Sequence, residues 1–139
     1  LMSEVNLVKA NIKDIWDDIK DGIDFIKGES YEAETPEDIY YACVNGESAI
    51  WVDKNIEPKD GFLITQVQRN EFTSERYLLL WVAWYKEETG ADKFQKEIEA
   101  LAKRLHCTSI EFWTSKKEIR DHGITHGYDE ITYKCRKEI

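Results

Sequence analysis

The sequence predicts a single α/β domain over residues 1–139, in which helices flank a mixed central sheet. Three observations predict this fold class. Two stretches, at 12–26 and 91–105, carry apolar residues at the three- and four-residue spacing of amphipathic helices. Short β-prone runs lie between and after them. The longest run, at 77–85, is apolar on both alternating faces, which is typical of a central strand covered on both sides.

The N-terminal part reads as one strand followed by two helices. The strand is expected at 5–8, and Asn11 is a good N-cap for a helix that Gly28 closes. Thr35 is expected to cap the second helix, with Pro36 at its first position, and Asn45-Gly46 ends it.

The remaining elements follow in alternating order. A three-strand meander is expected at 49–52, 61–67 and 77–85, then a helix at 91–106 and a strand at 109–113. A short helix at 116–121 is expected to end at Gly123, and Tyr128–Cys135 reads as a closing strand or hairpin. The predicted order is therefore β-α-α-β-β-β-α-β-α-β.

The charge is unevenly distributed along the chain. The formal net charge is −9; residues 1–60 hold 15 acidic and 6 basic residues, and residues 61–139 hold 13 of each. This distribution excludes a generic basic nucleic-acid surface and favours a small cationic amine or a basic protein surface as partner. A solvated acidic surface that serves solubility is the alternative interpretation. Four aspartates share one face of the first predicted helix: Asp14, Asp17, Asp18 and Asp21.

Cysteine usage and hydropathy bear on the cellular location. The three cysteines, Cys43, Cys107 and Cys135, form no close pair, which argues against a disulfide framework. No run approaches the ~18 consecutive apolar residues of a membrane span. We expect a cytoplasmic protein, or a virion-associated one if a phage encodes it, and no membrane contact.

The order and lengths of the elements resemble the GNAT acyltransferase fold across nearly the whole chain, and Gly127-Tyr128 is similar to the Gly-Phe or Gly-Tyr pair that begins that family's last strands. The resemblance implies acetyl-CoA as cofactor. Its pantetheine arm would enter between splayed parallel strands, here 77–85 and 109–114, and its pyrophosphate would lie at the start of the following helix. The cofactor-binding residues that the resemblance implies are Trp84, Tyr85, Lys86, Gly90, Ala91 and Lys93.

The phosphate loop departs from the family signature, which is Gln or Arg, two residues, Gly, any residue, then Gly or Ala. Aligned on Lys86, the chain has Thr89 in place of the first Gly and keeps Ala91. Aligned on Gly90, it has Glu87 in place of the Gln or Arg and Asp92 in the last position. Glu87 and Glu88 add negative charge where a pyrophosphate would lie, and like charges at short range oppose binding.

The resemblance also implies a general acid, which in many family members is a Tyr on the short helix before the last strands. Residues 117–127 contain no Tyr, and His122 and His126 are the candidates for the role because imidazole titrates near neutral pH. Both would otherwise be ordinary loop histidines. They would bind a metal at their i, i+4 spacing only on a helix, which Gly123 weakens, so no metal site is predicted.

Two functions follow from these features. The first is an acyl-CoA-dependent N-acyltransferase that acts on a cationic amine, with the acidic N-terminal region beside the acceptor. The alternative is a non-catalytic phage, virion or host-interaction protein that keeps the acetyltransferase fold. The degenerate phosphate loop and the missing Tyr favour the alternative.

Overall fold

The computed structural model describes residues 6–28, 35–85, 91–114, 116–133 and 135–139. In this part of the chain, four α-helices flank a five-stranded sheet. The elements in order are β1 (Leu7–Ala10), α1 (Ile12–Gly28), α2 (Pro36–Val44), β2 (Ala49–Asp53), β3 (Gly61–Arg69), β4 (Arg76–Tyr85), α3 (Ala91–Arg104), β5 (Ser109–Phe112) and α4 (Lys117–Thr125), with a 3-10 turn at Pro58–Asp60.

The strands lie in the sheet in their chain order, β1-β2-β3-β4-β5. The first four are antiparallel neighbours: β2, β3 and β4 form the predicted meander, and α1 and α2 connect β1 to β2. β5 instead runs parallel to β4, because α3 carries the chain back across the sheet between them. The predicted fold class, a mixed sheet flanked by helices, is therefore confirmed.

Helices cover both faces of the sheet, and the alternation of side chains along the strands assigns each residue to one face. On β2, Ile50 packs with α1 and α2, whereas the next residue, Trp51, packs with α3. The core on the α1/α2 side comprises Ile12, Ile19, Ile23, Ile39, Ile50, Phe62, Ile64 and Val82. The core on the α3 side comprises Leu7, Trp51, Leu63, Leu78, Phe94, Ile98, Leu101 and Ala102.

The predicted helix starts are confirmed in detail. The side chain of Asn11 accepts a hydrogen bond from the backbone N–H of Lys13 at 3.0 Å, so it caps α1. Thr35 and Asp38 form a reciprocal capping box at the start of α2, with Pro36 in the first turn. No helix in the described ranges is long and apolar enough to cross a membrane.

Two sequence-based expectations near the C-terminus are wrong. α4 does not end at Gly123 but continues to Thr125. Gly123 is needed there for packing, because a Cβ atom at this position would lie 2.6 Å from Cζ of Phe112. The predicted closing strand is absent too, since Tyr128–Tyr133 and Cys135 form no strand. Contacts to helices hold its first residues instead: Tyr128 to Gln95 on α3, and Glu130 to Arg120 on α4.

Candidate functional site

The candidate site is the edge of β4 that extends beyond its pairing with β5, called the gap below. The two strands pair in parallel only over a short ladder, from Tyr77 with Ser109 to Leu80 with Phe112. β5 ends at Phe112, whereas β4 continues to Tyr85 in register with β3. Beyond this ladder, β3 is the one strand neighbour of β4 among the described residues; that strands 77–85 and 109–114 splay apart around a cofactor stays a prediction.

A β-bulge lies on β4 where the gap begins. Thr65 of β3 pairs with Leu80 and Ile64 pairs with Val82, so Trp81 is an extra residue in β4. The bulge reverses the alternation of side chains: Leu80 packs on the α3 side, but Trp81 and Val82 both pack on the α1/α2 side. As a result, the main chain of β4 is bent at the mouth of the gap. Sequence analysis did not predict this feature.

The reversal places the last two residues of β4 on opposite faces. Tyr85 lies on the α3 side, where its ring is 5.0 Å from the ring of Phe94 in the first turns of α3. The side chain of Trp84 lies on the α1/α2 side, and its Nε1 donates to the carbonyl oxygen of Lys59 at 3.2 Å. The indole of Trp84 therefore lies away from the gap, and only the main chain of this residue borders it.

The remaining predicted cofactor residues belong to the start of α3. Ala91 is the first residue of this helix, and Lys93 is an exposed residue in its first turn. Lys86 and Gly90, together with Glu87 and Glu88, lie outside the described residues. α3 is the next described element after β4, and the backbone N–H groups at a helix start can bind an anion. Assignment of these residues to a cofactor stays a prediction.

α4 brings the two candidate catalytic histidines together. His122 is exposed and His126 is half-buried, and their rings meet edge to face with centroids 4.4 Å apart. The contact of Gly123 with Phe112 docks α4 on the end of β5, where the pairing of β5 with β4 ends. A catalytic role for either histidine stays a prediction.

Tyr128 is a phenol near the site that sequence analysis did not single out for chemistry. Its ring packs edge to face on Phe112 at 5.0 Å, and Nε2 of Gln95 donates to its hydroxyl oxygen at 3.0 Å. Burial raises the pKa of Tyr128 above its ordinary value, the hydrogen bond from Gln95 lowers this pKa, and Glu99 raises it again. The phenol therefore stays protonated at neutral pH and links the C-terminal segment to α3. The sequence signal that could have pointed to Tyr128 was the Gly127-Tyr128 pair.

The acidic residues of the N-terminal region are on the surface. Asp14, Asp17, Asp18 and Asp21 are all exposed on α1, so they contribute to the electrostatic field and not to the lining of the gap. A cavity of about 460 Å³ opens at the other edge of the sheet, beside β1 and the start of α1. Lys9 and Lys13 line it, and their charge does not suit a cationic ligand.

Known structures share this fold. A probable acetyltransferase is 14% identical and superposes with a TM-score of 0.69, with 96% of each chain covered. A predicted acetyltransferase from Clostridium acetobutylicum, solved with acetyl-CoA, is 12% identical with a TM-score of 0.65 over 96% of this chain and 95% of the other. An aminoglycoside acetyltransferase from an uncultured soil metagenomic sample, in complex with sisomicin, is 7% identical with a TM-score of 0.65 over 96% of this chain and 95% of the other.

Neither a family model nor a curated protein matches the sequence. The likeness is thus one of structure alone, and it covers nearly the whole chain. On this ground the protein has the fold of the GNAT acetyltransferases, as its sequence led us to expect.

Proposed function

We propose that this protein is an N-acyltransferase that uses an acyl-CoA thioester and acts on a cationic amine. The observation that carries the proposal is the end of the β4–β5 pairing at Leu80 and Phe112, together with the bulge at Trp81. A strand neighbour would normally fill the position beside β4 beyond this point. The peptide groups of β4 there would suit an extended chain with amide groups, which is the chemical nature of a pantetheine arm.

The chain's own groups along the gap fit this cofactor. The peptide groups of Trp81–Ala83 border the gap and are the groups that would hydrogen-bond the amides of the arm. The N-terminus of α3, with Lys93 in its first turn, supplies backbone N–H groups and a positive charge for the phosphates. Tyr85 and Phe94 form an apolar wall between these two places.

The chemistry requires proton transfer by the protein. When bound, an acyl-CoA supplies an activated acyl group with a thiolate as leaving group. The attacking amine has to lose its proton, and the leaving thiolate has to gain one. We assign the proton transfer to His122 and His126, whose rings contact each other and which lie on either side of Gly123, the residue that packs on Phe112 of β5. Tyr128 holds the segment that follows α4 in place through Gln95.

The acceptor class is inferred from charge. The excess of acidic residues in the first 60 positions and the exposed aspartates on α1 give a negative potential on the α1/α2 side of the sheet. A cationic amine is attracted to such a surface. One structurally similar protein was solved with sisomicin, an aminoglycoside, which is consistent with this class of acceptor.

A second candidate function is a non-catalytic binding protein that keeps the fold. The sequence of the phosphate loop favours it, because Glu87 and Glu88 repel a pyrophosphate. A host-interaction or virion protein of a phage is the form of this function that the sequence suggested. The two functions differ in one measurable property, which is the affinity for acetyl-CoA.

Calorimetric titration of the full chain with acetyl-CoA tests the proposal. We expect saturable binding, and a rise in melting temperature with ligand concentration, because a ligand of the native state stabilises it. The double variant Glu87→Gln with Glu88→Gln, which removes both loop acids, should bind acetyl-CoA more tightly. Two like charges 4 Å apart repel each other by about 1 kcal/mol in water, which corresponds to a decrease of about fivefold in Kd when the repulsion is removed. The matched control, Glu71→Gln with Glu75→Gln in the exposed β3–β4 turn, should leave Kd unchanged. The absence of binding at millimolar acetyl-CoA would contradict the enzyme function and leave the binding protein.

The histidine assignment has its own test once an acceptor amine is found. His122→Gln and His126→Gln should lower kcat while the Kd for acetyl-CoA stays constant. His106→Gln is the matched control, since this third histidine lies after α3 and should leave kcat unchanged. Equal activity of all three variants would refute the assignment.

A further inference from the structure

The cavity of about 460 Å³ beside β1 lies at the end of the sheet opposite the gap. It forms where β1 leads into α1 and where α2 leads into β2, and Ala10 pairs with Ile50 at this place. β4 begins at this end of the sheet and ends at Tyr85, which pairs with Gly61 at the other end. The cavity is therefore separate from the gap, and its volume is within the range of ligand pockets.

The charge of the cavity is opposite to that of the region around it. The first 60 residues hold 15 acidic and 6 basic side chains. The charged residues that line the cavity are nevertheless Lys9 and Lys13, and no Asp or Glu is among its described lining residues. In the part of the chain that the structure describes, neither lysine forms an ion pair. Two ammonium groups without a carboxylate partner favour an anion as ligand.

A buried hydroxyl group adds a hydrogen-bond donor to the cavity. Ser48 lines the cavity between α2 and β2 and is only 5% exposed. Its Oγ accepts a hydrogen bond from Nε2 of Gln66 at 3.0 Å, and Oε1 of Gln66 accepts one from Nε2 of Gln68 at 2.8 Å. The hydroxyl group of Tyr77 donates in turn to Oε1 of Gln68 at 3.3 Å.

Every hydrogen bond in this chain from Tyr77 to Ser48 donates toward Ser48, and such chains polarise their members. Among the described residues, the hydroxyl group of Ser48 has no acceptor for its own proton. A buried donor without an acceptor is costly, so an acceptor group in the cavity would be stabilised there. The lysines and Ser48 thus independently point to an anionic ligand.

The rest of the lining carries no charge. Ala10, Val44 and Ala49 contribute aliphatic side chains, and Val44 is exposed to solvent at the cavity. Cys43 also lines the cavity, and burial raises the pKa of its thiol to about 11, so the thiol is neutral at neutral pH and does not repel an anion. The lining therefore combines a cationic, hydrogen-bonding part with an aliphatic part.

We propose that this cavity binds a small organic carboxylate, whose carboxylate group contacts Lys9, Lys13 and the hydroxyl group of Ser48. The aliphatic chain of the ligand contacts Val44 and removes apolar lining from water. A carboxylate suits the cavity better than a phosphate because the net charge of −9 repels a monoanion less than a dianion. This site does not depend on the proposed use of acyl-CoA.

Calorimetric titration of the full chain with hexanoate tests the proposal. We expect saturable binding, and a Kd that rises up to about fourfold for each CH₂ group removed along the series hexanoate, butyrate and acetate. Inorganic phosphate should bind more weakly than hexanoate. Lys9→Gln with Lys13→Gln should raise the Kd for hexanoate about tenfold, since one exposed ion pair contributes up to about fivefold. The matched control, Lys96→Gln with Lys103→Gln, removes two exposed lysines of α3 and should leave this Kd unchanged.

Two further measurements locate the ligand in the cavity. Ser48→Ala should raise the Kd for hexanoate about tenfold, with circular dichroism as the check of its fold. Saturating hexanoate should slow the alkylation of Cys43 by iodoacetamide and leave the rate at the exposed Cys135 unchanged.

Four results would each overturn the proposal. They are no saturable binding at millimolar hexanoate, phosphate binding tighter than hexanoate binding, an equal Kd in wild type and the Lys9→Gln with Lys13→Gln variant, and alkylation of Cys43 that hexanoate does not slow. A control variant that loses affinity as much as the cavity variant would contradict it as well. None of these readouts requires acetyl-CoA, so this proposal and the proposed function fail separately.

Discussion

Replacement of Gly123 by alanine tests how α4 is docked beside the gap. Gly123 lies inside α4, where Gly→Ala ordinarily stabilises a helix by about 1 kcal/mol. The added Cβ atom would, however, lie 2.6 Å from Cζ and 2.9 Å from Cε1 of Phe112, whose ring is fixed edge to face against Tyr128. Overpacking of this kind costs about 1–3 kcal/mol, so the packing effect outweighs the gain in helix propensity.

The net prediction for Gly123→Ala is a loss of up to about 2 kcal/mol in the free energy of unfolding, measured by urea denaturation. The Phe112→Leu background supplies the control, since the shorter side chain removes the clash; there, Gly123→Ala should gain about 1 kcal/mol. If Gly123→Ala stabilised the wild type as much as it stabilised the Phe112→Leu variant, α4 would not be packed on β5 as described.

Three further predictions concern the core and the thiols. Nε1 of Trp51 donates to Oγ1 of Thr65 at 2.9 Å in a buried position. Thr65→Val keeps the shape of the side chain but removes the acceptor, so it should lower the free energy of unfolding by about 1–3 kcal/mol in urea denaturation. Thr65→Ser keeps the acceptor and should lower it less; the reverse order would contradict the hydrogen bond. Burial raises the pKa of Cys43 to about 11, so iodoacetamide at pH 8 should alkylate the exposed Cys135 first, as peptide mass spectrometry would show. Because the pKa of Cys43 is raised above its ordinary value near 9, the stability that the buried neutral thiol contributes is present below pH 9 and is lost as pH rises through about 11. The difference in unfolding free energy between wild type and Cys43→Ala should therefore fall over that pH range. A difference that stays constant would contradict the burial of the neutral thiol.

Much of the fold follows from local sequence signals. Thr35, Pro36 and Asp38 act within one helical turn, and this is why the start of α2 is predictable from the sequence. The apolar run at 77–85 predicts a strand covered on both faces, and its Trp and Tyr content favours a strand over a buried helix. The gap beside β4 was expected from the resemblance to the GNAT acyltransferase fold, and the structure shows the end of the β4–β5 pairing there.

The features that sequence analysis missed depend on contacts between distant segments. The bulge at Trp81 exists only relative to the register of β3, and no residue in β4 signals it. Gly123 reads as a helix end by propensity, but its contact with Phe112 on β5 makes it an interior position of α4. Ile131 and Tyr133 have the pattern of a strand, but a strand needs a partner edge, and α3 and α4 hold the start of their segment instead.

The candidate site was predicted in its place but not in its detail. Tyr85 and Ala91 lie where the resemblance put them, at the end of β4 and the start of α3. The side chain of Trp84 points to the other face, because the bulge shifts the alternation by one residue. Whether Lys86 and Gly90 bind a phosphate stays a prediction from the sequence, since both lie outside the described residues.

The central claim is that the main chain of β4 beside the gap binds acetyl-CoA. Amide chemical shifts of the full chain, recorded by NMR during titration with acetyl-CoA, test it most directly. The account predicts saturable shifts at Trp81–Ala83 and in the first turn of α3, with none in the exposed turn at residues 70–75. Shifts confined to other surfaces, or no shifts at millimolar acetyl-CoA, would contradict it.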